Sequence, residues 1–133
     1  MKIVHTNFSV QFHHSKTAGK HWDFRIYNPT TRKVMSWALP KQRFPEEDEK
    51  IRAMWVDDTH SVNYMTFERD SKYGAQVELI DHGDVEMGVI KDTIYLFLRG
   101  KKIKGFYLMV NIHKSKTWLI MKGSPSIKSL DYI

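Results

Sequence analysis

Apolar residues in this chain recur at every second position, in short runs set apart by polar turns. Phe8, Val10 and Phe12 alternate with Ser9, Gln11 and His13, and Trp22, Phe24 and Ile26 alternate with His21, Asp23 and Arg25. A period of two is the signature of a strand with one buried face, because successive side chains point to opposite sides of the pleat. Between these strands, HSKTAGK reads as the longer loop of a hairpin. NPTTRK follows as a turn and VMSWALP as another strand, stopped by Pro40. The runs NYMTFER, GAQVELID, VEMGVIK, TIYLFLR, KGFYLMVNI and TWLIMKG continue the β pattern, parted by turns at Asp-His-Gly-Asp, Lys-Asp, Gly-Lys-Lys and His-Lys-Ser-Lys. PEEDEKIRAMW is the one helical signal, with proline at its first position and carboxylates in its first turn, where the helix dipole favours them. The expectation is a mainly β protein, a compact antiparallel β-barrel with one or two short flanking helices.

A length of 133 residues suits one domain, with the core at about 8–123 and a tail at 124–133 that has no clear period. The chain has no cysteine, which excludes disulfides, thiolate nucleophiles and cysteine-bound zinc or iron–sulfur clusters. Any metal must sit on nitrogen and oxygen. His5, Thr6 and Asn7 interrupt the first residues, so no signal peptide is read there, and no window approaches a membrane span. A cytoplasmic protein is expected. The net charge of +6 favours an anionic partner. The basic cluster RGKKIKG reads equally as a hairpin turn kept soluble by lysines and as a phosphate contact.

If Phe12, Trp22 and Phe24 point into the core, then His13 with Gln11, and His21 with Asp23 and Arg25, share the opposite face of two neighbouring strands. Two imidazoles and a carboxylate offer three facial ligands of nitrogen and oxygen character, with other coordination positions open to substrate. A guanidinium beside them is suited to a phosphate oxygen, which it holds through parallel hydrogen bonds. Alternation places His14 on the core side and favours His13 as the ligand. His14 stays an alternative, because the loop begins there.

These residues resemble a known family. VQFH and HWDFR match the opening motif of the 3′-phosphoesterase domain found in bacterial DNA ligase D and in stand-alone archaeal and bacterial relatives. SWALPK, RAMWVDDTHSVNY, YGAQVELIDHG, LRGKKIKGFYLMV and TWLIMKG resemble later family segments in the same order, so the likeness runs from about Phe8 to Gly123. The resemblance implies a β-barrel that cleans 3′ ends of DNA. The implied activity depends on Mn²⁺ or another divalent cation and removes a 3′-phosphate or 3′-terminal ribonucleotide to leave a 3′-hydroxyl for repair synthesis and ligation in end joining. His13, His21 and Asp23 would hold the metal; Arg25, Lys41 and Arg52 would surround the phosphate; His60 and Tyr64 would complete the site. Primer–template or duplex 3′ ends are the implied partners, with a DNA ligase or polymerase beside them and no membrane.

The chemistry agrees with these residue types. A phosphate ester repels nucleophiles, so cations on its nonbridging oxygens are needed. An imidazole is suited to protonating a leaving group, the role expected of His60, while Tyr64 can orient a phosphate oxygen and Asp58 can fix a nearby imidazole. Arg52 also has a plain alternative, pairing with Asp48 on a helix face. The four tryptophans read as core, and His82 and His113 as turn residues without chemistry.

The chain departs from the family pattern in three places. Seven residues separate His13 from His21 where the family usually has five, seven precede Phe8, and Asn111 stands in place of a family arginine. The longer amino-terminal segment of relatives contributes to ribonucleotide removal, so the phosphomonoesterase activity is the firmer expectation. Two other classes fit parts of the pattern: a non-haem iron oxygenase with His82 or His113 as third ligand, and a non-catalytic nucleic-acid-binding barrel.

Overall fold

A computed structural model describes residues 1–57 and 60–123. Eight strands are formed: β1 Ile3–Ser15, β2 Gly19–Asn28, β3 Lys33–Leu39, β4 Lys50–Val56, β5 Gln76–Ile90, β6 Thr93–Gly100, β7 Lys104–Asn111 and β8 Thr117–Lys122. They close into a barrel in the order β1-β2-β3-β4-β8-β7-β6-β5, every neighbouring pair antiparallel. Closure leaves no edge strand to pair with another chain. The inward positions of the alternation fill the barrel: Phe8, Val10, Phe24, Ile26, Trp37, Leu39, Leu96, Leu98, Met109 and Ile120 are all essentially buried. Trp37 packs edge-on against Trp55 and Trp118, and Trp22 lies against the same core. Trp37 is thus a core residue, and Trp22, Trp55 and Trp118 pack against the core while partly exposed. No helix among the described residues is long and apolar enough to cross a membrane. The tail 124–133 lies outside the described residues.

Three local expectations are corrected. PEEDEKIRAMW forms no helix: Glu47 and Asp48 make a turn, with Asp48 at φ 60°, and β4 begins at Lys50. Ile51 and Ala53 are buried while Arg52 faces out, so the period of two prevails over the helix-start signals. Glu49 is taken up by Arg43 at 2.6 Å and by the backbone N–H of Glu46, and the helical pairing of Arg52 with Asp48 cannot form.

Secondly, NYMTFER is not a strand. It holds a 3₁₀ turn, Val62–Thr66, and a second 3₁₀ turn follows at Ser71–Tyr73; these are the short helical pieces flanking the barrel. Thirdly, Asp-His-Gly-Asp is no turn, since GAQVELID and VEMGVIK run on as the single strand β5, and His82 sits within it opposite Ser9. A bulge between Val10 and Gln11 in the β1–β5 register absorbs the irregularity. Gly83 permits the close strand contact there, since a Cβ would lie 2.3 Å from the Arg99 carbonyl oxygen.

The basic segment at Lys101–Lys104 is a hairpin turn. Buried Asp81 accepts the backbone N–H groups of Lys101, Lys102, Ile103 and His82 at 2.8–3.0 Å. Burial acts to raise its pKa, but these four donors outweigh burial and hold it below its ordinary value.

Candidate metal centre

The site is built on the outside of the barrel, where β1, β2 and β3 lie side by side. In the β1–β2 register His13 faces His21, Gln11 faces Asp23 and Ser9 faces Arg25. On the other side of β2, Asp23 faces Ala38 and Arg25 faces Ser36. The core pair Val10 and Phe24 alternates with these positions, so the polar set shares the outward face. The longer His13–His21 connection does not displace His13. It is taken up as further ladder pairs, His14 with Lys20 and Ser15 with Gly19, closed by the Ala18 N–H on Ser15 Oγ.

His13, His21 and Asp23 bring one ligand atom each to within 4.8 Å of one another. His21 Nε2 is 3.2 Å from Asp23 Oδ1, and the two imidazole rings lie 4.9 Å apart. Arg25 is locked behind them. Its Nε donates to Gln11 Oε1 at 2.7 Å, Nη1 to Ser36 Oγ at 2.7 Å, and Nη2 reaches Asp23 Oδ2 at 3.5 Å. His14, by contrast, is exposed and outside the donor group, so His13 is the histidine that the fold brings to it. The parity assigned to His14 is that of Phe12, but its strand end projects past the core, and the core side offers it no burial.

His13 Nδ1 is buried with no hydrogen-bond partner among the described residues. Burial lowers the pKa of His13; Asp23 opposes the shift, while His21, Arg25 and Arg69 reinforce it. A neutral imidazole is the form that coordinates a metal. An orphaned imidazole nitrogen beside a second imidazole and a carboxylate fits a divalent cation that accepts nitrogen and oxygen ligands.

A segment from His60 to Phe67 covers this face. Gln11, fully buried, donates from Nε2 to the backbone carbonyls of Tyr64 at 2.7 Å and Phe67 at 2.9 Å. His60 stacks on Tyr64 at 3.7 Å and 6°, Tyr64 stacks on Phe67, and the Arg25 guanidinium lies 5.1 Å from the Tyr64 ring. The result is a cavity of about 530 Å³ whose lining includes His13, His21, Asp23, Arg25, His60 and Tyr64.

Six of the residues expected from sequence thus share one cavity. Lys41 and Arg52 are exposed and do not line it, and Asp58 lies outside the described residues. Sequence reasoning missed the roles of Gln11 and Ser36 as partners of Arg25, and of Lys20 on the cavity wall. The outward parity of Ser36 in β3 was the available signal, but it points to Arg25 only once the register is known. His82 and His113 stay apart from the donor group among the described residues. Asn111 bonds the Ser115 carbonyl at 2.7 Å within the β7–β8 turn.

A search of curated proteins returns no match for the chain. A family model, that of the DNA ligase D 3′-phosphoesterase domain, matches residues 11–111. That span contains the donor group, the arginine behind it and the covering segment. The chain belongs to the DNA ligase D 3′-phosphoesterase domain family.

Proposed function

We propose that this protein is a divalent-metal-dependent DNA 3′-phosphoesterase that removes a 3′-phosphate, a 3′-terminal ribonucleotide or both, to leave a 3′-hydroxyl. The observation that supports this reading is the convergence of a nitrogen–nitrogen–oxygen donor set, a guanidinium and a stacked His–Tyr pair on one open cavity. Mn²⁺ held by His13, His21 and Asp23 would supply positive charge to nonbridging phosphate oxygens.

The chain's own residues have separable tasks. Arg25, held rigid by Gln11 and Ser36, keeps a fixed positive charge at the cavity wall as negative charge develops on the phosphoryl oxygens. Water attacks phosphorus and gives up one proton to solvent, the bond from phosphorus to the 3′ oxygen breaks, and His60 passes a proton to that oxygen and takes one back from solvent. Tyr64 orients the His60 ring through the stack and offers its hydroxyl to a phosphate oxygen. Lys41 and Arg52, outside the lining, are assigned to the approaching strand and not to the reacting phosphate. A 3′-hydroxyl is the substrate form that a polymerase or ligase consumes, so such an enzyme is the natural next actor in end joining.

The test is a 5′-labelled primer–template ending in a 3′-phosphate or one 3′-ribonucleotide, incubated with Mn²⁺ or with EDTA. Metal-dependent conversion to a 3′-hydroxyl, lost in His21→Ala, Asp23→Ala and His60→Ala, is the expected result. DNA binding without conversion of either substrate would replace this reading with that of a binding barrel.

A further inference from the structure

A second cavity, of about 720 Å³, opens on the far side of His60 and is lined in part by Asn28, Arg32, Lys33, Met35, Trp55 and that same histidine. His60 therefore forms a wall common to this space and to the metal cavity. We infer that the second cavity seats the terminal nucleoside, the one whose 3′ oxygen carries the reacting phosphate. The inference rests on the phosphoesterase reading.

The surface has the composition that single-stranded nucleic acid recognises, an aromatic and apolar face beside cations that track the backbone. The Trp55 indole is held in place, edge-on to Trp37 at 5.3 Å and with its Nε1 donating to Asp57 at 2.6 Å. Among the described residues the one carboxylate in the lining is Asp57, which pairs with Lys116 at 2.9 Å. Arg32 and Lys33 project from the β2–β3 turn, exposed, and no ion pair ties either to a carboxylate among the described residues. They are placed to take the 5′ phosphate of that nucleoside. With the base against Trp55 and Met35, the sugar passes His60, where the proton for its 3′ oxygen is needed.

The other cavity beside the covering segment, about 510 Å³ and lined in part by His82, Asp84 and Arg99, suits a polyanion less well. There Asp84 brings negative charge, and Arg99 is committed to Glu86 at 2.6 Å.

The test is fluorescence anisotropy in EDTA, where binding is read without turnover, using a 5′-labelled single strand ending in a 3′-phosphate. Its last nucleoside is either intact or abasic. The wild-type protein is expected to bind the intact end about tenfold more tightly. Arg32→Asn with Lys33→Ser should weaken binding several-fold and flatten its salt dependence. Asparagine suits the left-handed backbone of Arg32, at φ 59°, so this variant tests charge and not folding. Equal or unmeasurable affinities for the two ends, or no change in the double variant, would overturn the inference. A parallel turnover assay with Mn²⁺ separates the two readings. Base discrimination without phosphate release refutes the phosphoesterase reading, whereas phosphate release without discrimination refutes only this one.

Discussion

Gln11 is the residue whose replacement tests how the site is held together. It is completely buried on the outward face of β1, and its amide makes three bonds: two from Nε2 to the carbonyls of Tyr64 and Phe67, and one received from Arg25 Nε. Net contributions of about 0.5–1.5 kcal/mol for each neutral bond and about 1.5–3 kcal/mol for the charged one put Gln11→Met at a cost of about 2.5–6 kcal/mol. The methionine fills a similar volume, so this figure is hydrogen bonding and not a cavity. Gln11→Glu separates the terms: a carboxylate still accepts from Arg25 but cannot donate to either carbonyl. Loss of those two bonds, about 2 kcal/mol, should raise hydrogen exchange in the covering segment about 30-fold. The amides of Tyr64 and Phe67, which bond Ser61 and Tyr64 carbonyls within the segment, are the reporters. Turnover should fall with it, because His60 and Tyr64 ride on that segment, while the barrel amides keep their protection. Unchanged exchange in residues 60–67 of Gln11→Glu would refute the tether.

The remaining predictions concern the metal and the β6–β7 turn. At about 100 times its dissociation constant, Mn²⁺ should stabilise the wild-type fold by about 2.7 kcal/mol, and this rise in melting temperature should vanish in His21→Ala and Asp23→Ala, read by calorimetry with and without EDTA. Asp81→Asn should destabilise at neutral pH by about 2–3 kcal/mol, because its four backbone donors lose a charged acceptor. The folded-state pKa of Asp81 lies below its ordinary 3.8. Its contribution is therefore present above that value and lost as pH falls toward the folded pKa. The gap in melting temperature between wild type and Asp81→Asn should narrow below about pH 4; a gap constant from pH 7 to pH 3 would refute the assignment.

Alternation was enough to read the barrel, because a closed sheet with a solid core imposes a period of two on every strand. It also overruled stronger-looking local signals. Pro45 and the following acids announce a helix, yet Ile51 and Ala53 have a barrel wall to bury against, and burial outweighs the few tenths of a kcal/mol per residue at stake in propensity. Misreadings fell where pairing crosses an irregularity. Asp-His-Gly-Asp has turn composition, but Asp81 spends its carboxylate on the Lys101–Ile103 backbone and Gly83 admits a close strand, so β5 runs straight through. Those partners lie about twenty residues away, beyond the reach of any local pattern.

The donor set was legible for the same reason as the barrel: residues of one parity on paired strands must meet. The covering segment was not. NYMTFER holds residues suited to a strand, and its hold as a turn over the site includes the buried Gln11 amide, fifty-three residues before Tyr64, beside the turn's own backbone bonds and the buried Met65. That amide also explains how a polar face can be buried at all. Gln11, Asp23, Arg25 and Ser36 satisfy one another, and the desolvation cost of each is offset within the network. His13 Nδ1, on that network's border, is buried and unpartnered among the described residues, as are Ser9 Oγ on the same face and Trp37 Nε1, and burial lowers the pKa of the His13 ring. An unmet buried nitrogen costs about 1–3 kcal/mol, a burden that packing alone gives no reason to keep. What sets His13 Nδ1 apart from Ser9 Oγ and Trp37 Nε1 is its ring's place in a group of three ligand atoms with His21 and Asp23, and that grouping is what supports the proposal of a bound cation there.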